Sequence, residues 1–378
     1  MKRYIFVLFL LLFPYSVFAE ELIPNATSGI LIEAGTGKII YEKDKDKEVS
    51  IASMTKMVAQ IIILEEIEAK RIKWSDIVTV SHNASSMGGS QIYVEDGEKI
   101  SVQDLMKGIS VASGNDATVA MAEYISGSEE KFVERMNKKV KELGLKHTHF
   151  VNCTGLDEDN HYSSAYDMAM IARNLVVNHP DIIRFSSIYE DYLRQNTDKK
   201  FWLVNTNKLI NQYEGADGLK TGHTDNAGYC LAATAKRDNL RLIGIVLGEK
   251  DGKVRNNETV GLLDYGFNSI KLKQLKKKGD SLKKIILPKT DNGVTSAILS
   301  EDLNIIEDSS NSSKYTYSVK INKLKYPILK GDIIGKVIVK SNEKNIMTQS
   351  LVSSENINKL GLYQLFINNL YNIVFGIF

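Results

Sequence analysis

Residues 51–64 read IASMTKMVAQIIIL. The apolar positions Met54, Met57, Val58, Ile61, Ile62 and Leu64 cover most of a helical wheel rather than one stripe. A helix that is apolar on most faces is buried on most faces. The spacing therefore predicts a central helix over 54–69, which needs other elements packed around it. Ser53 stands at its start, and Lys56 follows three residues later on the same helical face. A hydroxyl and an amine at the mouth of a buried helix call for a chemical reason.

Working outward, helical and strand-like segments alternate up to about residue 270. Segment 102–125 has helical apolar spacing interrupted by Ser113-Gly114-Asn115. Segment 130–143 places Phe132, Val133, Met136, Val140 and Leu143 on one side, the pattern of an amphipathic helix. Segments 28–41, 228–235 and 240–248 read as strands, the last two joined by a polar turn at Lys236 to Asn239. Sheet and helices in one body give an α+β fold class.

Three short motifs occur in order: Ser53-Met54-Thr55-Lys56, then Ser113-Gly114-Asn115, then Lys220-Thr221-Gly222 just before the strand that begins near Gly228. S-x-x-K recurs at Ser128, Ser281 and Ser341, and S-x-N at Ser81, Ser309 and Ser354, so neither is specific alone. K-T-G occurs once. The order, with spacings of 60 and 107 residues, carries the information. A serine hydroxyl attacks poorly unless a base takes its proton. A lysine is a base only when its pKa falls, and both an apolar surround and a second cation, here Lys220, lower it. A helix start also offers free backbone N–H groups to a developing oxyanion.

The 48 Lys+Arg and 46 Asp+Glu nearly cancel, which argues against a nucleic-acid binder. Lys2 and Arg3 precede the nine apolar residues Ile5 to Phe13, and Val17 and Ala19 suit a signal-peptidase site. Residues 1–19 thus read as a secretory signal cleaved after Ala19, the nine apolar residues being too few to span the ~30 Å hydrocarbon core. The mature chain then works outside the cytoplasm. Residues 20–270 hold 29 bases and 37 acids, a net of −8, whereas 271–378 hold 17 and 9, a net of +8.

Lys271 to Lys278, with five lysines in eight residues, reads as a solvated linker. Beyond it, Tyr315, Tyr317, Val319 and Ile321 alternate with polar residues, and 271–352 reads as a small β-rich domain. In 353–378, Asn358, Gln364, Asn368, Asn369 and Asn372 share one arc of a helical wheel. Leu360, Phe366, Ile367, Leu370, Tyr371, Val374, Ile377 and Phe378 lie mostly opposite. No charge follows Lys359. Such a helix suits a membrane interface, and the +8 suits an anionic surface.

The motif set resembles that of the low-molecular-mass penicillin-binding proteins, the serine-type D-alanyl-D-alanine carboxypeptidases. The likeness extends to Ala52, Met57, Asp116-Ala117, Gly155-Leu156, His161-Tyr162-Ser163-Ser164, His223-Thr224 and Leu263-Asp264-Tyr265-Gly266-Phe267. It implies a penicillin-binding/β-lactamase-like transpeptidase fold over 20–270, an antiparallel sheet flanked by helices. A small all-β domain and a C-terminal amphipathic helix would follow. It implies that Ser53 attacks a peptidoglycan stem pentapeptide, with Lys56 as general base and Ser113 as proton relay. Asn115, Lys220, Thr221, Gly222 and His223 would bind substrate, Gly222 by letting it lie along the strand edge. The oxyanion hole would be the N–H groups of Ser53 and His223. β-Lactams would acylate Ser53, and no cofactor or metal is implied.

The chain departs from the family pattern at Ile51, Asp44 and Asn205-Thr206-Asn207. DD-endopeptidase or weak β-lactamase activity on the same site is the alternative. A class A β-lactamase would need a water-activating Glu, usually in E-x-x-L-N, and no such segment occurs. His147, His149, Asp157, Asp159 and His161 lie close enough in sequence to suggest a metal, but the region matches the family as structure. Cys153 and Cys230 read as free buried thiols, with a disulfide open to them in an oxidising compartment.

Overall fold

The computed structural model describes residues 21–308, 314–341 and 343–375. The signal at 1–19 lies outside the described residues.

A five-stranded antiparallel sheet forms the middle of the catalytic body. Its strands run in the order Ile39–Lys43, Ser28–Glu33, Leu240–Glu249, Gly228–Arg237 and Ala216–Thr224. Segment 28–41 is thus two strands joined by a turn at Gly35 to Gly37. Successive strand residues face opposite sides, and both sides are apolar. Ile30, Ile32, Ile243, Ile245 and Leu247 point into one core, and Leu31, Leu242 and Val246 into the other. A sheet apolar on both faces needs cover on both.

The first face carries the larger core. Helix Lys56–Glu68 runs through it, and ten of its thirteen residues are buried. Around it pack helices Asn115–Ser126, Glu129–Glu142 and Ala165–Asn178. The second face is covered by Gly252–Ser269, where Leu262 and Leu263 meet Leu31 and Leu242. Asp251 caps that helix, accepting from the N–H groups of Lys253 and Val254.

The lysine-rich stretch is not a linker. Ile270–Lys276 is a strand that follows helix Gly252–Ser269 without a break and pairs with Leu303–Asp308. Its apolar residues alternate among the lysines: Ile270 and Leu272 pack on the second core of the catalytic body. A register shift between Gln274 and Lys276 then turns Leu275 toward the β domain. On the paired strand Ile305 faces the β domain and Ile306 the catalytic body. This two-stranded ribbon therefore belongs to both cores.

The β domain is a five-stranded antiparallel sheet, ordered Ser281–Ile286, Val294–Leu299, Lys344–Ser353, Ile333–Ser341 and Tyr315–Ile321. It extends past residue 352. Ile357 is fully buried in its core and exchanges backbone hydrogen bonds with Ile328. The terminal helix starts only at Leu362 and runs to Phe375, so the boundary expected at 353 lies about nine residues too early.

Candidate active site

Ser53 lies on a single 3₁₀ turn, Ala52–Thr55, and Lys56 is the first residue of the buried helix. Side chains three apart eclipse in a 3₁₀ turn, so the motif spacing brings hydroxyl and amine face to face. Ala52 has φ +48°, a left-handed conformation that makes a sharp corner before the serine. Thr55 ties the corner by donating to the Ala52 carbonyl at 2.8 Å. His161 Nδ1 accepts from the Val151 N–H, so its Nε2–H donates to Thr55 at 2.8 Å. Burial lowers the pKa of His161 to about 4, which keeps the ring neutral at physiological pH.

Ser113 ends a π-helical turn, Gly108–Ala112, and itself sits at φ +63°. Asn115 begins the next helix. Lys220, Thr221 and Gly222 lie on the edge strand Ala216–Thr224, which the sequence pattern did not show, just ahead of the strand that begins at Gly228 as expected. Gly222 also has another reason than the one expected. A Cβ there would stand 2.6 Å from the Ile51 carbonyl oxygen and 3.3 Å from the Met54 nitrogen. The bare glycine lets the edge strand abut the Ser53 turn.

The fold brings the three motifs together. Lys56 Nζ donates to Ser53 Oγ at 2.7 Å, to Asn115 Oδ1 at 2.6 Å and to the Thr154 carbonyl at 2.8 Å. Lys220 Nζ donates to Ser113 Oγ at 2.8 Å and to the Thr221 carbonyl at 2.8 Å. Both lysines are essentially inaccessible, whereas Ser53 is half-buried. Burial lowers the pKa of Lys56 to about 7. Lys220 is driven well below the ordinary amine value by burial, then by the positive charge of Lys56 and of Arg255. The like charge foreseen between the two lysines thus acts chiefly on Lys220.

The partners of Lys56 decide what it can do. A neutral amine has a lone pair that must face a donor. Asn115 Oδ1 and the Thr154 carbonyl only accept; the Ser53 hydroxyl alone can donate. Deprotonated Lys56 is therefore aimed at the Ser53 proton. The Thr154 carbonyl was invisible in the sequence, since a backbone group leaves no residue-type signal. Thr221 Oγ1 donates to Thr206 Oγ1 at 2.7 Å, so the Asn205-Thr206-Asn207 departure contributes one hydroxyl beside the strand. Asn205 and Asn207 are buried braces, donating to the carbonyls of Ser186, Ile188 and Gly218. Ile51 has φ −122°, outside the range centred on about −65° that a proline ring imposes.

Gly155 completes the floor, with φ +85° and an ideal Cβ position 2.0 Å from the Ala52 carbonyl oxygen and 2.9 Å from the Ser53 nitrogen. Gly155→Ala would collide with the backbone of the Ala52–Ser53 corner. It is expected to cost about 3 kcal/mol or more, read as a lower urea midpoint together with slower penicillin labelling. An unchanged midpoint would show that the corner yields easily.

The remaining histidines each have a protein partner. His147 Nδ1 meets Glu48, and His149 Nδ1 meets the Asn160 carbonyl. Among the described residues no cluster of three metal-ligating side chains occurs. Cys153 and Cys230 are free and buried. His223 is exposed and stacks on Tyr229 with ring centroids 4.0 Å apart.

A half-buried serine, a buried amine of lowered pKa and a second lysine on a sheet edge define an active-serine enzyme of the penicillin-binding class. Residues 17–251 match the family model described as D-alanyl-D-alanine carboxypeptidase, and 271–359 match the C-terminal domain of penicillin-binding protein 5. The chain belongs to the D-alanyl-D-alanine carboxypeptidase family of serine hydrolases. It is 44% identical over 362 residues to D-alanyl-D-alanine carboxypeptidase DacF of Bacillus subtilis, covering 93% of this chain and 92% of that one. Penicillin-binding protein 5 of Haemophilus influenzae superposes with a TM-score of 0.73 at 31% identity, over 89% of this chain and 98% of that one. Penicillin-binding protein D2 of Listeria monocytogenes, solved with ampicillin bound, gives 0.59 at 30% identity, over 65% of this chain and 99% of that one.

Proposed function

We propose that Ser53 is the nucleophile of a D-alanyl-D-alanine carboxypeptidase reaction on peptidoglycan stem pentapeptides. The observation that carries this is the triple environment of Lys56, in which only the Ser53 hydroxyl can give a proton. Ser53 Oγ attacks the carbonyl carbon between the two terminal D-alanines as its proton passes to Lys56 Nζ. The N–H groups of Ser53 and His223 receive the oxyanion. The C–N bond breaks, the proton taken up by Lys56 passes by way of Ser113 to the leaving amine, and D-alanine departs. Water then attacks the acyl-enzyme and frees the tetrapeptide. Asn115 and Thr221 hold the substrate, and Gly222 keeps the strand of Thr221 against the serine turn. The substrate carboxylate binds Lys220, whose depressed pKa rises again as the negative charge arrives. β-Lactams enter the same path and acylate Ser53.

The deciding experiment offers purified enzyme a pentapeptide monomer and, separately, a cross-linked muropeptide. Release of free D-alanine from the monomer is expected. Cleavage of the cross-link without D-alanine release would assign an endopeptidase instead.

We further propose that the protein is secreted by its N-terminal signal and attached peripherally to the outer face of the cytoplasmic membrane. Leu362, Tyr363, Phe366, Ile367, Leu370 and Val374 are all exposed on helix Leu362–Phe375. Their spacing puts them on one side of it. No described helix is long and apolar enough to cross a bilayer, which leaves an interfacial helix as the favoured reading. The net +8 of residues 271–378 favours an anionic lipid surface. A chain ended after Gly361 keeps Ile357 in its core and is expected to move from the membrane to the soluble fraction with activity retained. Continued sedimentation with membranes would place the anchor elsewhere.

A further inference from the structure

Asp116 follows the S-x-N motif directly and is buried to 1% exposure, yet the chemistry above makes no use of it. Its carboxylate accepts only from backbone. Oδ1 takes the N–H of Ala117 at 2.8 Å and of Ile92 at 3.1 Å, and Oδ2 takes those of Ile92 at 3.0 Å and Val94 at 3.2 Å. A side chain surrounded by donors with nothing to donate to is held purely as an acceptor.

The loop it fixes is the one that holds Asn115. The Ser90 carbonyl accepts from the Asn115 N–H at 2.7 Å, and the Gly88 carbonyl accepts from Asn115 Nδ2 at 2.7 Å. The latter contact decides which way the amide faces: with its nitrogen on Gly88, its oxygen must point at Lys56. Asp116, loop 88–94, Asn115 and Lys56 form one connected chain of hydrogen bonds.

The surroundings of Lys56 also make Asp116 electrostatically distinct. Cys153 faces Lys56 from the 151–155 loop, but burial and the neighbouring Glu129 raise its pKa well above the ordinary thiol value, so it stays uncharged. Lys220 faces from the edge strand and carries like charge, with Arg255 behind it. Burial lowers the pKa of Lys56, while Cys153 and Asp116 act against that fall. Glu129 accepts from the Cys153 N–H at 3.0 Å, and with Cys153 neutral Asp116 is the carboxylate that acts on Lys56 itself.

We propose that Asp116 is a positioning residue of the acylation step. It orients the Asn115 amide through loop 88–94 and supplies a fixed negative charge that acts on the buried amine. The proposal rests on Lys56 being the general base. A carboxylate beside an amine holds protons on it. Removing the charge while keeping the shape should therefore release the base at lower pH, even as the loosened loop slows the reaction.

The test is the pH profile of acylation by a chromogenic β-lactam, measured on the wild-type chain, Asp116→Asn and Asp116→Glu, with thermal unfolding run alongside. The wild type should show an acid limb near the Lys56 pKa of about 7. In Asp116→Asn that limb should move down by about half to one pH unit, with a plateau slower by about tenfold. Asp116→Glu keeps the charge on a longer arm, so its limb should stay in place while the plateau falls. Asp116→Ser, which leaves room for water, replaces the amide variant if that does not fold. A limb that coincides with wild type in the neutral variant overturns the proposal, whatever the rate. A wild-type profile with no limb near pH 7 overturns the Lys56 assignment first, and the two failures are told apart.

Discussion

Ser53→Ala is expected to abolish covalent labelling by fluorescent penicillin and to lower D-alanine release by a factor of about 10⁴ or more. The size follows from what is removed, since no acyl-enzyme forms without the oxygen that attacks. The fold should survive the change. Lys56 keeps its bonds to Asn115 Oδ1 and the Thr154 carbonyl, and the Ala52–Thr55 corner is tied by Thr55, not by Ser53. Circular dichroism and unfolding should match wild type. Labelling that persists in this variant would remove Ser53 from the mechanism.

Lys56 gives the second large effect, and it has two parts. Lys56→Ala should slow acylation by about 10³-fold or more. Lys56→Arg should not restore it at any pH up to about 9, because a guanidinium does not give up its proton in that range. The wild-type acylation rate should climb through a limb near pH 7, where burial has placed the amine's pKa. Stopped-flow acylation across that range checks both. Robust D-alanine release without Lys56 would mean another base.

The same burial has a cost in stability. The folded-state pKa is lowered, so the unfolded chain binds the proton more tightly between about 7 and the ordinary 10.5. Stability from this group therefore rises as pH increases through that window, and the full penalty is felt below it. The enzyme carries a destabilised residue where the chemistry needs one.

The nucleophile region was legible because its signal is local. Ser53 and Lys56 are one turn apart, and the apolar run behind them admits only a buried helix. The order of the three motifs was legible too, since each kept its residue types. The strand that carries Lys220 was not legible, because K-T-G-H-T has no alternating apolar pattern, whereas the next strand, from Gly228, was. The Lys220 strand is set by pairing with Gly228–Arg237 and by contact with the serine turn, both non-local. The lysines of 271–278 hid a strand because charge masked the alternation of Ile270 and Leu272, and the register shift before Lys276 then broke the period. Asp116 and Gly155 stood within the matched motifs, but their roles depend on backbone groups far along the chain, which residue types do not announce.

The ribbon of Ile270–Lys276 and Leu303–Asp308 blurs the idea of two domains. Ile270, Leu272 and Ile306 close the second core of the catalytic body, while Leu275, Leu303 and Ile305 close the β domain. Cutting the chain at Ser269 would strip a row of apolar side chains from the enzyme and leave the cut face greasy and open. The catalytic half is thus not a finished globule with an accessory attached. It borrows part of its wall from the half that follows, so the two are expected to melt together along one shared seam.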